Sequence, residues 1–224
     1  MPLVRVIIRG SISAGKTRLL SELKKSLGSK VKIFPEPSND WTSFHAEYSH
    51  RNYNLLHEIY NGKQAFENQV FIFFNLFLKF MAVFKEAVLQ RKQWLITERS
   101  PYDGLFVFGR ALHLTTKQLD FLYYGCHEAM KLLEAENPHN LLVIYLKCPP
   151  DVCMKRVKNR NRKEETFSIK YLNELEKLYN DWYKHKFFPE KPHKIYMVDS
   201  NRSLDQVTND VLKILKENTY LQFK

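Results

Sequence analysis

Eight consecutive residues near the start of the chain have the types and spacing of a loop that binds phosphate groups. They form a complete G-x-x-x-x-G-K-[ST] pattern: Gly10, Ser11, Ile12, Ser13, Ala14, Gly15, Lys16 and Thr17. Glycine lets the backbone turn tightly, so that successive N–H groups point at the phosphates, and the helix that follows adds the positive end of its dipole. We expect Lys16 to reach the β- and γ-phosphates and the Thr17 hydroxyl to bind Mg²⁺. The pattern predicts a site for a nucleoside triphosphate.

Glu98 ends a short apolar run at residues 94–97 and is followed directly by Arg99. On its own, such a pair is more often an ordinary salt bridge than a functional site. Its place at the end of a predicted strand reverses that preference, because a carboxylate beside the phosphate loop can hold Mg²⁺ or its waters. The chain has no Asn-Lys-x-Asp motif that would recognise guanine. The pattern therefore favours a kinase over a GTPase.

Glu36 lies between Pro35 and Pro37, just beyond the second predicted strand. A carboxylate at that edge of a sheet faces the crevice in which open α/β sheets bind ligands. A hydroxyl substrate needs a base to accept its proton, and Glu36 is the best candidate. A loop acid held between two prolines would explain the position equally well.

Basic residues crowd the segment from 155 to 163: Lys155, Arg156, Lys158, Arg160, Arg162 and Lys163. Arg156 and Arg160 are one helical turn apart, and Arg162 follows in a predicted loop. A lid over about residues 156–166 would suit phosphoryl transfer, in which charge develops on the transferred group and must be neutralised. A solvated surface or a contact with a nucleic-acid backbone are the alternatives.

The elements that must position these residues alternate along the chain. Strands are predicted at residues 3–9, 31–34, 94–97, 141–146 and 195–198. Helices are predicted at 17–27, 45–60, 66–90, 169–186 and 204–215, and also from 101, from 116 and after Pro149. This order predicts a parallel five-stranded sheet covered on both faces, a three-layer α/β/α fold of the P-loop kinase type. At 224 residues, we expect residues 1–224 to form one domain.

These motifs together resemble the deoxynucleoside kinase family over most of the chain. The resemblance rests on the phosphate loop, on Pro35-Glu36-Pro37 with Trp41 five positions after the acid, on Glu98-Arg99-Ser100, and on the arginine-rich segment ending in Glu164-Glu165. It implies transfer of the ATP γ-phosphate to the 5′-hydroxyl of a 2′-deoxynucleoside. It also implies that Glu36 is the general base, and that Arg99 holds the hydroxyl and the developing phosphate.

The same resemblance implies roles for residues that would surround the substrate and the triphosphate. Trp41 and Phe108 would enclose the base, Gln69 would contact its polar edge, and Leu56 would line the pocket. Tyr60 and Glu165 would contact the sugar 3′-hydroxyl. Thr17 and Glu98 would bind Mg²⁺. The triphosphate would be clamped by the arginines of the lid, Arg156, Arg160 and Arg162, of which Arg160 and Arg162 would act in catalysis.

Leu76 and Gly104 bear on the choice of base. Family members that prefer deoxycytidine or purines carry an arginine and an aspartate at the matching positions. This chain has neither charge and resembles the members that accept thymidine. We expect thymidine, deoxycytidine or both to be substrates.

Two rival functions remain open at this stage. A nucleoside monophosphate kinase of the thymidylate kinase type would share the phosphate loop but has less need of a general base. A basic nucleic-acid-binding ATPase would account for the net charge of +11, which does not discriminate between anionic partners. A nucleic-acid-binding ATPase would give no role to the residues that we expect around the substrate.

The bulk features bear on partners and placement. The apolar helix predicted at 66–90 and the family resemblance lead us to expect a homodimer. The three cysteines indicate no disulfide framework, and no stretch is long and apolar enough for a membrane span. The lack of a targeting segment before the first strand makes the cytoplasm the default expectation.

Overall fold

The computed structural model describes residues 3–136, 141–162 and 165–219. Its main sheet has five parallel strands in the order β2-β5-β1-β6-β7. These are β1 (Val4–Arg9), β2 (Val31–Phe34), β5 (Trp94–Glu98), β6 (Leu141–Lys147) and β7 (Lys194–Asp199). The three inner strands are almost continuously buried and are rich in aliphatic residues, as expected for a parallel sheet covered on both faces. The predicted five-stranded α/β fold is therefore confirmed.

Helices connect the strands and cover the sheet. They are α1 (Lys16–Leu27), α2 (Ser38–Thr42), α3 (Leu55–Tyr60), α4 (Ala65–Leu89), α5 (Pro101–Asp103), α6 (Thr116–Glu136), α7 (Pro150–Arg160), α8 (Ile169–His185) and α9 (Leu204–Thr219). A π-helical turn, Gly104–Gly109, continues directly from α5. Helix α4 packs closely on α6, where the ring of Phe73 lies 3.4 Å from the position that a Cβ would take on Gly125. In the described part of the chain, no helix has the length and apolar character that crossing a bilayer requires.

One predicted helix is largely wrong. Of residues 45–60, only Leu55–Tyr60 is helical. The preceding segment forms a two-stranded hairpin, β3 (Phe44–Ala46) and β4 (Arg51–Tyr53), in which Phe44 pairs with Tyr53. The Phe44 ring also lies 4.3 Å from that of Phe71 on α4. Packing against this distant helix therefore stabilises strand structure where local periodicity indicated a helix.

Candidate active site

The carboxyl ends of β1, β2 and β5 meet at one edge of the sheet, where a cavity of about 530 Å³ opens. The phosphate loop follows β1, Glu36 follows β2, and Glu98 and Arg99 lie at the end of β5. These segments lie far apart in the sequence, from Gly10 to Arg99, and are gathered because parallel strands end at the same edge.

The backbone of the phosphate loop has the conformation that its glycines make accessible. Gly10 has φ 149°, and a Cβ on it would lie 2.8 Å from the carbonyl oxygen of Leu146. Gly15 has φ 99° and directly precedes α1. A side chain at either position would strain the loop, and at Gly10 it would also clash with β6. Strand β1 therefore leads into a tight loop at the amino terminus of a helix, which suits an anion.

Lys16 is folded into the phosphate loop. Its Nζ donates hydrogen bonds to the carbonyl oxygens of Gly10 and Ser11 at 3.1 and 2.8 Å, and it lies 3.8 Å from Oε1 of Glu98. Burial, and then the nearby charge of Arg99, lower the pKa of Lys16 to about 8. Burial therefore disfavours the charged form of this amine relative to a lysine in water.

Thr17 and Glu98 bring two oxygen ligands together beside Lys16. The Thr17 hydroxyl donates to the Glu98 carboxylate, with Oγ1 3.0 Å from Oε2. A hydroxyl and a carboxylate are hard oxygen donors that suit Mg²⁺, which commonly takes few protein ligands and completes its octahedron with water and phosphate. No cluster of three or more acidic, histidine or cysteine side chains that could hold a metal occurs among the residues described. The pair therefore fits an ion that is bound together with a nucleotide.

Glu36 and Arg99 are in direct contact in the wall of the cavity. Nη1 of Arg99 donates a hydrogen bond to Oε1 of Glu36. The Arg99 guanidinium also lies over the ring of Phe108, 4.5 Å from its centroid. The Nε of Arg99 is buried and has no hydrogen-bond partner among the residues described.

The remaining wall of the cavity is mostly apolar and aromatic. The predicted substrate residues that line it are Trp41, Leu56, Tyr60, Gln69, Leu76, Gly104 and Phe108. The indole of Trp41 is fixed by a hydrogen bond from Nε1 to Oδ1 of Asn75 at 3.0 Å. The amide oxygen of Gln69 lies 3.6 Å from where a Cβ of Gly104 would be, so both residues border the same space. Burial, and then the charge of Glu36, raise the pKa of Tyr60 well above its usual value.

The basic segment also borders the cavity. Arg156 donates to the carbonyl oxygens of Ser13 and Ser200 at 3.4 and 2.8 Å, so it ties α7 to the phosphate loop. Arg160 forms a bidentate ion pair with Glu165, and Arg162 lies 4.0 Å from the same carboxylate. Lys163 and Glu164 lie outside the described residues. The three arginines of the basic segment, Arg156, Arg160 and Arg162, line the cavity, as a triphosphate-binding role requires.

The structure brings almost all the predicted site residues into one cavity. The exceptions are Gly10 and Ser11, which belong to the loop but do not line the cavity wall. Sequence reasoning missed several lining residues: Ser38, Ile59, Ile72, Ser100, Asn159, Tyr171, Ser200, Arg202, Leu204 and Val207. Ile72 could have been found, because it lies between Gln69 and Leu76 on one face of α4. Arg202 and Leu204 follow the carboxyl end of β7, where the same rule of strand ends applies.

The parallel sheet, the loop after β1 and the acid that ends β5 define the P-loop kinase class. The chain matches the deoxynucleoside kinase family over residues 6–221 and belongs to it. It is 29% identical over 183 residues to a probable deoxycytidine kinase of Fowlpox virus, covering 80% of this chain and 71% of the relative. It is 28% identical over 217 residues to a thymidine kinase of Ictalurid herpesvirus 1, and the match covers 93% of this chain and 84% of the relative. The fold is similar to that of deoxyadenosine kinase from M. mycoides, with a TM-score of 0.65 and 20% sequence identity. The match covers 95% of this chain and 98% of the other.

The protein is accordingly an ATP-dependent nucleoside kinase. The predicted enzyme class, the ATP phosphate donor and the family resemblance are confirmed. The roles of individual residues, the preferred base and the metal stay predictions.

Proposed function

We propose that the protein transfers the γ-phosphate of ATP to the 5′-hydroxyl of a 2′-deoxynucleoside, with thymidine and deoxycytidine as acceptors. The observation that carries this proposal is the contact between Glu36 and Arg99 in the cavity that the phosphate loop borders. This contact supports a carboxylate beside the acceptor hydroxyl in the proposed reaction. An acceptor that is an alcohol needs such a base, because its proton must leave as the bond to phosphorus forms.

In this proposal each polar group has one role in the transfer. Glu36 accepts the proton of the 5′-hydroxyl, and Arg99 orients that hydroxyl and stabilises charge on the phosphoryl oxygens. Lys16 and the backbone N–H groups of the loop hold the β- and γ-phosphates. Arg160 and Arg162 neutralise the charge that develops on the equatorial oxygens. Mg²⁺ held by Thr17 and Glu98 would supply further charge neutralisation on the triphosphate.

The apolar wall supports pyrimidine acceptors that include thymidine. Leu76 presents an aliphatic side chain to the cavity, and Gly104 leaves space beside Gln69. A thymine methyl group can pack in that space, whereas a charged pair at these two positions would crowd it. Trp41 and Phe108 would enclose the ring, and Gln69 can donate and accept at its polar edge. Leu56 would complete the wall, with Tyr60 and Glu165 on the sugar 3′-hydroxyl.

The two rival functions are less well supported. A nucleoside monophosphate kinase acts on a phosphate that is already ionised, which leaves the placement of Glu36 unexplained. A nucleic-acid-binding ATPase would leave its basic residues free for a backbone, yet Arg156 donates to the carbonyl oxygen of Ser200 and Arg160 is paired with Glu165 at the edge of the cavity.

We also propose a homodimer. Exposed apolar side chains lie on two neighbouring helices, Phe74 and Leu78 on α4 and Phe121 and Tyr124 on α6. Their spacings of four and three residues place each pair on one helix face. A second copy of the chain would bury this surface.

Placement in the cytoplasm remains a proposal that cell fractionation can test.

The deciding experiment is phosphate transfer from ATP to each of the four deoxynucleosides and to thymidine monophosphate. We expect turnover of thymidine or deoxycytidine and very little of the monophosphate. A strong purine preference would contradict the proposed base specificity, and turnover restricted to the monophosphate would support the rival kinase.

A further inference from the structure

A charged residue is fully buried at the end of the central strand, outside the cavity wall. Arg9 is the last residue of β1 and is 0% exposed. Its Nε donates to Oδ2 of Asp103 at 3.0 Å, and its Nη2 donates to Oγ of Ser100 at 2.9 Å and to the carboxylate of Glu190. One guanidinium thus joins the turn that contains Ser100 and Asp103 to Glu190, a distant residue in the sequence.

The partners of Arg9 hold the turn that contains Arg99. Asp103 accepts a hydrogen bond from the backbone N–H of Ser100 at 2.9 Å, and the Ser100 hydroxyl lies 2.9 Å from Oε1 of Glu190. Arg99 has a left-handed backbone with φ 63°. A residue other than glycine keeps that conformation only where its surroundings impose it. The backbone N–H of Arg99 donates to the carbonyl oxygen of Ile8 at 3.0 Å, and the contacts of Ser100 fix the next residue of the same turn.

The surroundings of Arg9 stabilise its charged form. Burial alone would lower its pKa, but the adjacent carboxylates of Glu190 and Asp103 outweigh that effect, so the pKa of Arg9 is raised. Trp182 of α8 lies under the guanidinium, 4.1 Å from ring centroid to Cζ. The Tyr179 hydroxyl donates to Oδ1 of Asp103 at 3.0 Å. The cluster therefore connects β1, the turn after β5, α8 and the segment before β7.

We infer that Arg9 is a positioning residue for phosphoryl transfer, acting through Ser100 and Asp103 on the orientation of Arg99. This inference rests on the proposed function, in which Arg99 meets the acceptor hydroxyl. A cluster that served only stability would not need to converge on the residue next to Arg99. A displacement of Arg99 would lower turnover more than substrate binding, because the alignment of the reacting groups matters most in the transition state.

The test is Arg9→Lys, which keeps the buried charge but not the fork that contacts three partners. We expect kcat for thymidine to fall by about 10-fold or more, with the thymidine KM within about 2-fold of wild type. Glu190→Gln, which keeps an acceptor oxygen for Arg9, should show a smaller change of the same kind. The control is Val211→Ala in α9, which lowers the melting temperature from a buried site outside the cavity and should leave kcat unchanged.

A double-mutant cycle separates positioning from general stability. If Arg9 acts through Arg99, then Arg9→Lys should change kcat by less than about 2-fold when introduced into the Arg99→Lys variant. The inference would be overturned if Arg9→Lys lowered kcat by the same factor in the Arg99→Lys variant as in the wild type. It would also be overturned if folded Arg9→Lys had an unchanged kcat. If Arg9→Lys does not fold, Glu190→Gln is measured in the same cycle. Wild-type protein that phosphorylates no deoxynucleoside would instead refute the proposed function, so the two failures are distinguishable.

Discussion

The guanidinium of Arg99 donates a hydrogen bond to the carboxylate of Glu36, although the two residues follow different strands. The Glu36 side chain keeps 19% of its surface accessible, while that of Arg99 keeps 8%. The acid can therefore be reached from the cavity, and the arginine is held in the wall behind it. In the proposed reaction, an acceptor hydroxyl entering between the loop and this pair would meet a base and a cation together.

Glu36→Gln is expected to abolish turnover while leaving nucleoside binding nearly intact. The substitution keeps the size of the side chain and an oxygen that can accept from Arg99, but it removes the basic group. General bases contribute roughly 10²–10⁴-fold to rate, so kcat should fall by a factor in that range. Steady-state kinetics measure the loss of kcat, and calorimetric titration with thymidine measures whether nucleoside binding is retained.

Glu47→Gln is the matched control, because Glu47 is exposed on the hairpin between β3 and β4. It should behave like the wild type in both measurements. Near-normal turnover by Glu36→Gln would remove the base from the mechanism and favour a monophosphate acceptor.

Leu76→Arg combined with Gly104→Asp should shift the preference away from thymidine. The two introduced charges can pair with each other, whereas arginine alone would place an unpaired charge at a buried position. We expect kcat/KM for thymidine to fall by about 10-fold or more relative to deoxycytidine, since the charged pair fills the space for the methyl group. Competition assays with both nucleosides measure the ratio directly.

Gly104→Ala tests whether space alone matters. Gly104 has φ −58°, and an added Cβ would make an ordinary contact with Gln69 at 3.6 Å. The ratio of kcat/KM for thymidine to kcat/KM for deoxycytidine should therefore change little. An unchanged ratio in the double variant as well would show that these positions do not control base choice.

The sequence was most informative where function depends on strand ends. Lys16, Glu36 and Glu98 could be placed at one edge because parallel strands all end there, whatever the loops between them do. Arg9 could not be interpreted in this way. Its partners Asp103 and Glu190 are 94 and 181 residues away in sequence, and an arginine in an apolar strand gives no local sign of being buried. The β3–β4 hairpin was missed for a similar reason, since Phe44 is stabilised by Phe71 on α4.

Phe74→Lys combined with Leu78→Glu should convert the proposed dimer to a monomer. Both side chains are exposed on α4, and charges at these positions would be costly to bury in an interface. Light scattering at micromolar concentration should show a dimer for the wild type and a monomer for the variant. Met197→Glu is the control, because Met197 is exposed on β7, at the sheet edge opposite β2. A monomeric wild type would contradict the prediction.

ATP binding near pH 8 should be accompanied by uptake of a proton by Lys16. The pKa of this residue is lowered to about 8 in the nucleotide-free protein, chiefly by burial. Triphosphate oxygens favour the charged amine and raise the pKa, so about half a proton per site should be taken up at pH 8. Isothermal titration calorimetry in phosphate and in Tris measures this number, because the two buffers differ in ionisation enthalpy.

The same lowered pKa affects the stability of the free protein. The unfolded chain binds more protons at this lysine between about pH 8 and pH 10.5, so this group makes the free energy of unfolding rise with pH in that window. Lys16→Arg is the control for both measurements, since arginine stays protonated throughout the range. Its proton uptake at pH 8 should be near zero. Equal uptake by the wild type and Lys16→Arg would show that another group takes up the proton, and the assignment to Lys16 would be wrong.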